Sequence, residues 1–280
     1  MKTAFRVCLL ILSWALSAAA PPKSFKVVDA GIHQTEDGPL VEKGQTFVPG
    51  EVIFFSCRLD GYQASPARKI GIHYEFSALD PAGVPVVEPV SAKIETELAL
   101  EDKEWKPKIR QTVLVPPLAE SGTYKMRFSA KDELGGGVGT VELPFEVRGH
   151  AVEPSDTLVV RNFRFYRGED DAEPLKLAAY RPGDRVWARF DITGYKMGTG
   201  NQREVAYTVT VTGAGDRVLL APGAPSVDKG ASFYPMKYLP CVINLNLQPN
   251  IHPGEYTITI TAQDRVGNQT QDSKQTFRVE

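Results

Sequence analysis

Residues 180–195 read YRPGDRVWARFDITGY, and residues 47–62 read FVPGEVIFFSCRLDGY. The same phrase has been written twice. At an offset of 133, Pro49 and Gly50 fall on Pro182 and Gly183, Gly61 and Tyr62 on Gly194 and Tyr195, Tyr74 on Tyr207, and Pro89 on Pro222. Past the middle of each copy the offset becomes 132: Gly122 and Tyr124 match Gly254 and Tyr256, Asp132 matches Asp264, Gly135 matches Gly267, and Phe145 matches Phe277. Internal periodicity on this scale fixes the architecture before any single motif is weighed. In the first phrase Ile53, Phe55, Cys57 and Leu59 alternate with other residues, and in the second Val186, Ala188, Phe190 and Ile192 do the same. That period of two is a strand with one face in a core.

Working outward, each copy contains about seven short runs rich in β-branched and aromatic residues, set apart by Gly, Pro and Asp, a pattern of sandwiches rather than of βαβ units. The expected strands are 25–32, 52–59, 70–79, 84–87, 109–115, 123–130 and 140–147, then 159–166, 185–192, 205–211, 217–220, 242–247, 255–261 and 274–279. Residues 91–102 (SAKIETELALED) fit either a strand or a helical turn. The fold class is therefore all-β: two tandem antiparallel β-sandwiches, 24–148 and 157–280, joined by a linker at 149–156 that Pro154 stiffens.

A chain of 280 residues suits two domains. Residues 1–19 place Lys2 and Arg6 ahead of an apolar run and end in small residues, the layout of a secretory signal peptide with the cut after Ala19. Cys8 has the wrong neighbours for a lipoprotein site. Taking Lys2 and Arg6 from 32 basic residues leaves 30 against 34 acidic ones, a net charge of about −4 that offers no footprint for nucleic acid or anionic lipid. No later run approaches the ~20 apolar residues of a membrane span. The expected location is the periplasm or the medium. Export permits disulfides, yet Cys57 and Cys241 point into different cores by strand alternation, so neither a bridge nor a reactive thiol is expected.

The phrases SGTYKMRFSAKDELG (121–135) and PGEYTITITAQDRVG (253–267) carry local mechanism. Tyr124 and Tyr256 follow a Gly turn and alternate with wet neighbours, so each can bury its ring while its hydroxyl bonds upstream backbone. Asp132 and Asp264 open tight turns, with Gly135 and Gly267 expected to supply positive φ. The Gly-x-Tyr strand followed by Ala-x-Asp-x-x-Gly resembles bacterial immunoglobulin-like and cadherin-like modules, and the Pro-Gly-Glu or Pro-Gly-Asp lead-in to a strand resembles macroglobulin-type sandwich domains. The resemblance implies a binding, spacing or scaffolding role on extracytoplasmic proteins and carries over no functional residue.

Catalytic signals are missing from the sequence. His33, His73, His150 and His252 lack zinc-site spacing, and there is no Gly-x-Ser-x-Gly elbow, phosphate loop or dinucleotide fingerprint. No enzyme activity, cofactor or metal is expected. Glu169, Asp170, Asp171 and Glu173, with Glu153 and Asp156 at the junction, offer oxygen ligands but not the spaced pattern of a calcium loop, and a charge run in a turn is usually solvated. The candidate binding segment is 233–240 (FYPMKYLP), where Phe233, Tyr234, Met236 and Tyr238 stand among prolines that argue against a regular ladder. It either caps its own sandwich or presents a platform for a partner, and Trp105 occupies the corresponding loop of the first copy. The function expected is a non-enzymatic interaction or spacer protein of the cell envelope with envelope or extracellular protein partners. The alternatives are a carbohydrate-binding accessory module using the aromatic loop on a polysaccharide, and a periplasmic chaperone.

Overall fold

The computed structural model describes residues 24–42, 44–102 and 104–280, so the expected signal peptide and Cys8 lie outside the described residues. The first half contributes β1 (Lys26–His33), β2 (Thr46–Phe47), β3 (Val52–Asp60), β4 (Lys69–Leu79), β5 (Val90–Glu97), β6 (Lys108–Leu114), β7 (Gly122–Asp132) and β8 (Val138–Val147). They form a three-stranded sheet β1-β3-β6 facing a five-stranded sheet β2-β8-β7-β4-β5. The second half contributes β9 (Val159–Tyr166), β10 (Ala179–Tyr180), β11 (Arg185–Thr193), β12 (Arg203–Thr212), β13 (Val218–Leu220), β14 (Ser226–Gly230), β15 (Tyr238–Asn246), β16 (Gly254–Asp264) and β17 (Gln269–Val279). Here β9-β11-β15 faces β10-β17-β16-β12-β13, with β14 also paired to β12. Apart from β13, which has no strand counterpart in the first half, the order repeats, and among the described residues no sheet draws strands from both halves. The protein is an all-β sandwich fold; among the described residues the helical turns are 3₁₀ pieces at Thr199–Asn201 and Ala214–Asp216.

Alternation builds both cores. Ile53, Phe55, Cys57 and Leu59 on β3 are buried, as are Val186, Ala188, Phe190 and Ile192 on β11. Opposite them lie Tyr124, Met126, Phe128 and Ala130 on β7, and Tyr256, Ile258, Ile260 and Ala262 on β16. Two apolar clusters result, with Cys57 in one and Cys241 in the other. Both thiols are free and buried, and loss of hydration pushes each up to about 12.

The duplication reaches the backbone. Left-handed φ values recur in register at Asp29 and Asn162 (50° and 52°), Gly50 and Gly183 (both 87°), Gly61 and Gly194 (both 76°), and Arg68 and Asn201 (60° and 55°). Gly61 and Gly194 are glycines for a second reason: a methyl there would lie 2.4 Å from the Ser24 carbonyl oxygen and 1.9 Å from that of Thr157. Tyrosine corners close both halves, the hydroxyl of Tyr124 donating to the Glu120 carbonyl (3.0 Å) and that of Tyr256 to the His252 carbonyl (2.6 Å).

Several expectations are corrected. The positive φ after each Asp turn sits one residue later than expected, on Gly136 (71°) and Asn268 (56°). Gly135 and Gly267 are needed instead for room, because a methyl on either would fall 2.4 or 2.2 Å from the carboxylate of Asp132 or Asp264. Those carboxylates reach across the sandwich end: Asp132 accepts the Gln63 amide and Asp264 the Lys196 amide, each at 2.8 Å. The expected strand at 84–87 reduces to an isolated bridge between Leu79 and Pro85, since proline supplies no donor to a ladder. Residues 91–102 resolve into β5, ending at Glu97, and a turn. Prolines do not exclude a ladder from all of 233–240: Tyr238, Leu239 and Pro240 pair with Thr193, Ile192 and Asp191. β15 is an edge strand, where proline is tolerated. The two-residue parallel strands β2 and β10, which cover the outer edges of β8 and β17, are too short to show in the periodicity.

Candidate functional site

The loop 231–237 leaves the second half and enters the first. Its shape is set locally: Asn201 Nδ2 donates to the Ser232 and Phe233 carbonyls (3.1 and 2.7 Å), Ser232 Oγ to the Tyr234 carbonyl (2.7 Å), and Tyr195 Oη to the Met236 carbonyl (2.5 Å). So held, Tyr234 projects into the core cluster of the first half, alongside Tyr124 and Val86. Its hydroxyl donates to Oδ2 of Asp80 at 2.9 Å.

Asp80 is fully buried and fully served. Its Oδ1 accepts the amides of Ala82 and Val84, both at 2.8 Å, while Oδ2 faces Tyr234 and, at 3.8 Å, the Lys237 ammonium. Lys237 also reaches Glu120 at 2.8 Å. A buried carboxylate is tolerated only with such a complete set of partners. Burial first, and then the negative neighbourhood, pushes the Tyr234 hydroxyl far above its ordinary range, so it remains the donor.

A second contact involves the connection between the halves. Gly149 exchanges hydrogen bonds with Ser121 Oγ, both 3.0 Å, and lies so close to the Ala119 carbonyl that a methyl would sit 1.8 Å away. The next residue, His150, places Nε2 2.7 Å from Oδ2 of Asp191, a buried carboxylate that also accepts from Asn162 Nδ2 at 2.8 Å. Asn162 donates onward to the Ala151 carbonyl (2.9 Å), and the His150 ring lies 5.5 Å from that of Tyr238. Adjacent residues of the linker are thus fastened to opposite halves.

Of the candidate binding residues, Phe233 is half exposed and Trp105 is 40% exposed, Met236 is half-buried, and Tyr234 and Tyr238 are buried. The two tyrosines therefore face the chain itself, and the rings open to a partner are Phe233 and Trp105. Trp105 lies on the matching loop of the first half: its carbonyl accepts from Tyr62 Oη at 2.5 Å, as that of Met236 does from Tyr195. Sequence reasoning missed Asp80, Glu120, His150 and Asp191. One signal was there to be found: at the repeat offset Asp80 faces Gly213, an acid against glycine between the matched pairs Tyr74/Tyr207 and Pro89/Pro222.

The acidic residues have cationic neighbours. Arg189 stacks 4.2 Å from the Tyr166 ring and donates to the carbonyls of Glu169 and Asp171, placing a guanidinium where a cation would have to enter. In the corresponding loop Arg110 and then Lys108 hold the Asp37 carboxyl below the usual carboxylate range. Among the described residues no group of three or more His, Cys, Asp or Glu converges on a point.

An all-β sandwich with a side-chain-locked junction is what the geometry defines. No known protein-family profile matches the chain, and no curated protein sequence matches it. Solved structures with a similar arrangement include the C-terminal domain of the Streptococcus pyogenes antigen I/II-family protein AspA, at 10% identity and a TM-score of 0.35, covering 92% of this chain and 100% of that one. Another is the C-terminal domain of the Streptococcus agalactiae AgI/II polypeptide BspA, at 13% identity and a TM-score of 0.33, covering 91% and 99%. Superposition this loose transfers neither partner nor activity.

Proposed function

We propose that this chain is an exported, non-enzymatic interaction or spacer protein of the cell envelope, in which two immunoglobulin-like sandwiches, 24–148 and 157–280, are held at a set angle and bind protein partners through their loops. The supporting observation is the junction: a tyrosine from one half satisfies a buried carboxylate of the other, while the connection is pinned on both sides. A tether that only needs reach is served by a flexible linker, whereas a locked junction serves a protein that must hold spacing or direction. Absence of an enzymatic role is part of the same reading. The carbohydrate alternative calls for several exposed coplanar rings, and with Tyr234 and Tyr238 buried Phe233 stands alone on its loop. Nothing observed favours the chaperone alternative.

The test is site-specific photo-crosslinking in intact cells, with the photoreactive residue at Phe233 or Trp105 and a control at exposed Lys274 on β17. Discrete protein adducts from the first two positions and none from the third are expected. Equal, diffuse labelling at all three would sink the partner-binding reading. A reporter joined after Ala19 should leave the cytoplasm, and its retention would sink the export reading.

A further inference from the structure

The receptor for Tyr234 has a twin. In the first half it is built by the turn after β4, by Val86 and by the tyrosine corner of β7. In the second half the same elements are the turn after β12, Leu219 and the tyrosine corner of β16. The turns share one bond, Asp80 N to Val84 O and Gly213 N to Arg217 O, both at 2.9 Å, and a left-handed residue at Gly83 and Asp216, with Gly215 left-handed as well in the second. Yet the twin is open. Between Gly213, Leu219, Leu247, Tyr256 and Phe277 lies a cavity of about 730 Å³. Val86 is buried at 5% exposure, whereas Leu219 stands 44% exposed between exposed Val218 and Leu220.

We propose that this cavity receives the Trp105 loop of a second copy of the chain, so that molecules join head to tail by repeating the contact already made inside each one. Three observations select that occupant. First, the Trp105 loop is the counterpart of the loop that fills the first receptor, anchored by the same tyrosine-to-carbonyl bond, and its ring is exposed. Second, the acid that fixes the ring in the filled receptor is missing from the open one. Asp80, which accepts the tyrosine hydroxyl, is replaced by Gly213, so a ring entering the open receptor meets no buried carboxylate there. Third, both acids of the filled receptor are lost from the open one. The filled receptor carries Asp80 and Glu120 and meets Lys237. The open one carries Gly213 and His252 in their places, with Arg217 and Glu255 beside them, and the Trp105 loop carries Glu101, Asp102 and Glu104 ahead of the ring and Lys106 and Lys108 behind it. An interface of unlike faces that does not close on itself grows as a chain.

This inference goes beyond the spacer reading, which survives its failure. Sedimentation velocity on the protein lacking residues 1–19 should show mass rising with concentration past the dimer. Trp105 emission should move to the blue as it associates. Trp105→Ser and Leu219→Arg, both at exposed positions, should each leave a folded monomer by circular dichroism. Their equimolar mixture should yield a dimer and nothing larger, because one retains the cavity and the other the loop. A wild type that stays monomeric overturns the inference. So does association that survives either substitution, or variants that fail to complement in the mixture.

Discussion

The two ends that carry the tyrosine corners, one beside Asp80 and one beside Gly213, have matching corners and opposite circumstances. At the first, a carboxylate, a buried valine and an inserted tyrosine make a sealed contact between halves. At the second, glycine and the exposed Leu219 and Leu220 border an open cavity. The frame is set by turns, corners and alternation, which both halves share. What an end is used for is set by a handful of side chains placed on that frame.

The largest expected effect breaks the sealed end. Tyr234→Ala removes a buried ring and leaves the inner oxygen of Asp80 facing only Lys237, a loss of about 3 kcal/mol for a large-to-small change with an unmet charge. Calorimetry should then show the two halves melting separately, whereas Tyr256→Phe, which touches only the open end, should leave one coupled transition. Next in size, Asp132→Ala and Asp264→Ala should each cost about 2 kcal/mol by denaturant titration, because each strips a backbone amide of its partner across a sandwich end. The second should cost more, since Asp264 also accepts from Gln269 Nε2 at 3.0 Å and from the Gly267 amide at 2.9 Å.

A smaller effect is pH-dependent. In the folded chain burial keeps Tyr234 protonated well past the ordinary tyrosine value of 10.0, where an unfolded tyrosine has begun to ionise. The folded state then binds more protons, so this contribution is intact below about pH 10 and is lost as pH rises above it. Melting temperature measured across that range should fall, and Tyr234→Phe should flatten the slope. The smallest effect is on the thiols: with both pushed up to about 12, neither Cys57 nor Cys241 should react with a disulfide reagent at mildly alkaline pH until the chain unfolds. Early reaction of Cys57 alone would mean that the first core opens by itself.

Much of this frame was legible because it rests on local rules. Alternation at 53–59 and 186–192 predicts the buried faces, and Gly-x-Tyr predicts both hydroxyl-to-backbone corners. Strand edges were read less well where a ladder depends on a distant partner: nothing in Thr46 and Phe47 announces a parallel pairing with Glu146 and Val147. The fate of 233–240 was beyond local reasoning for the same cause. Its aromatic density marks it as a contact segment, but the contact is with Asp80, 154 residues away in the chain, and only the folded arrangement brings them together.

The short strands β2 and β10 have a consequence for how such molecules can be packed in numbers. Each occupies the outer hydrogen-bonding rim of its larger sheet with two paired residues and goes no further. On the opposite rim of the first half, β5 bears Lys93, Glu95 and Glu97. A stub on one flank and a run of ions on the other are poor templates for ribbon-to-ribbon growth. Crowded copies are thereby steered away from lateral fusion, and their tips are left as the surfaces through which they can meet.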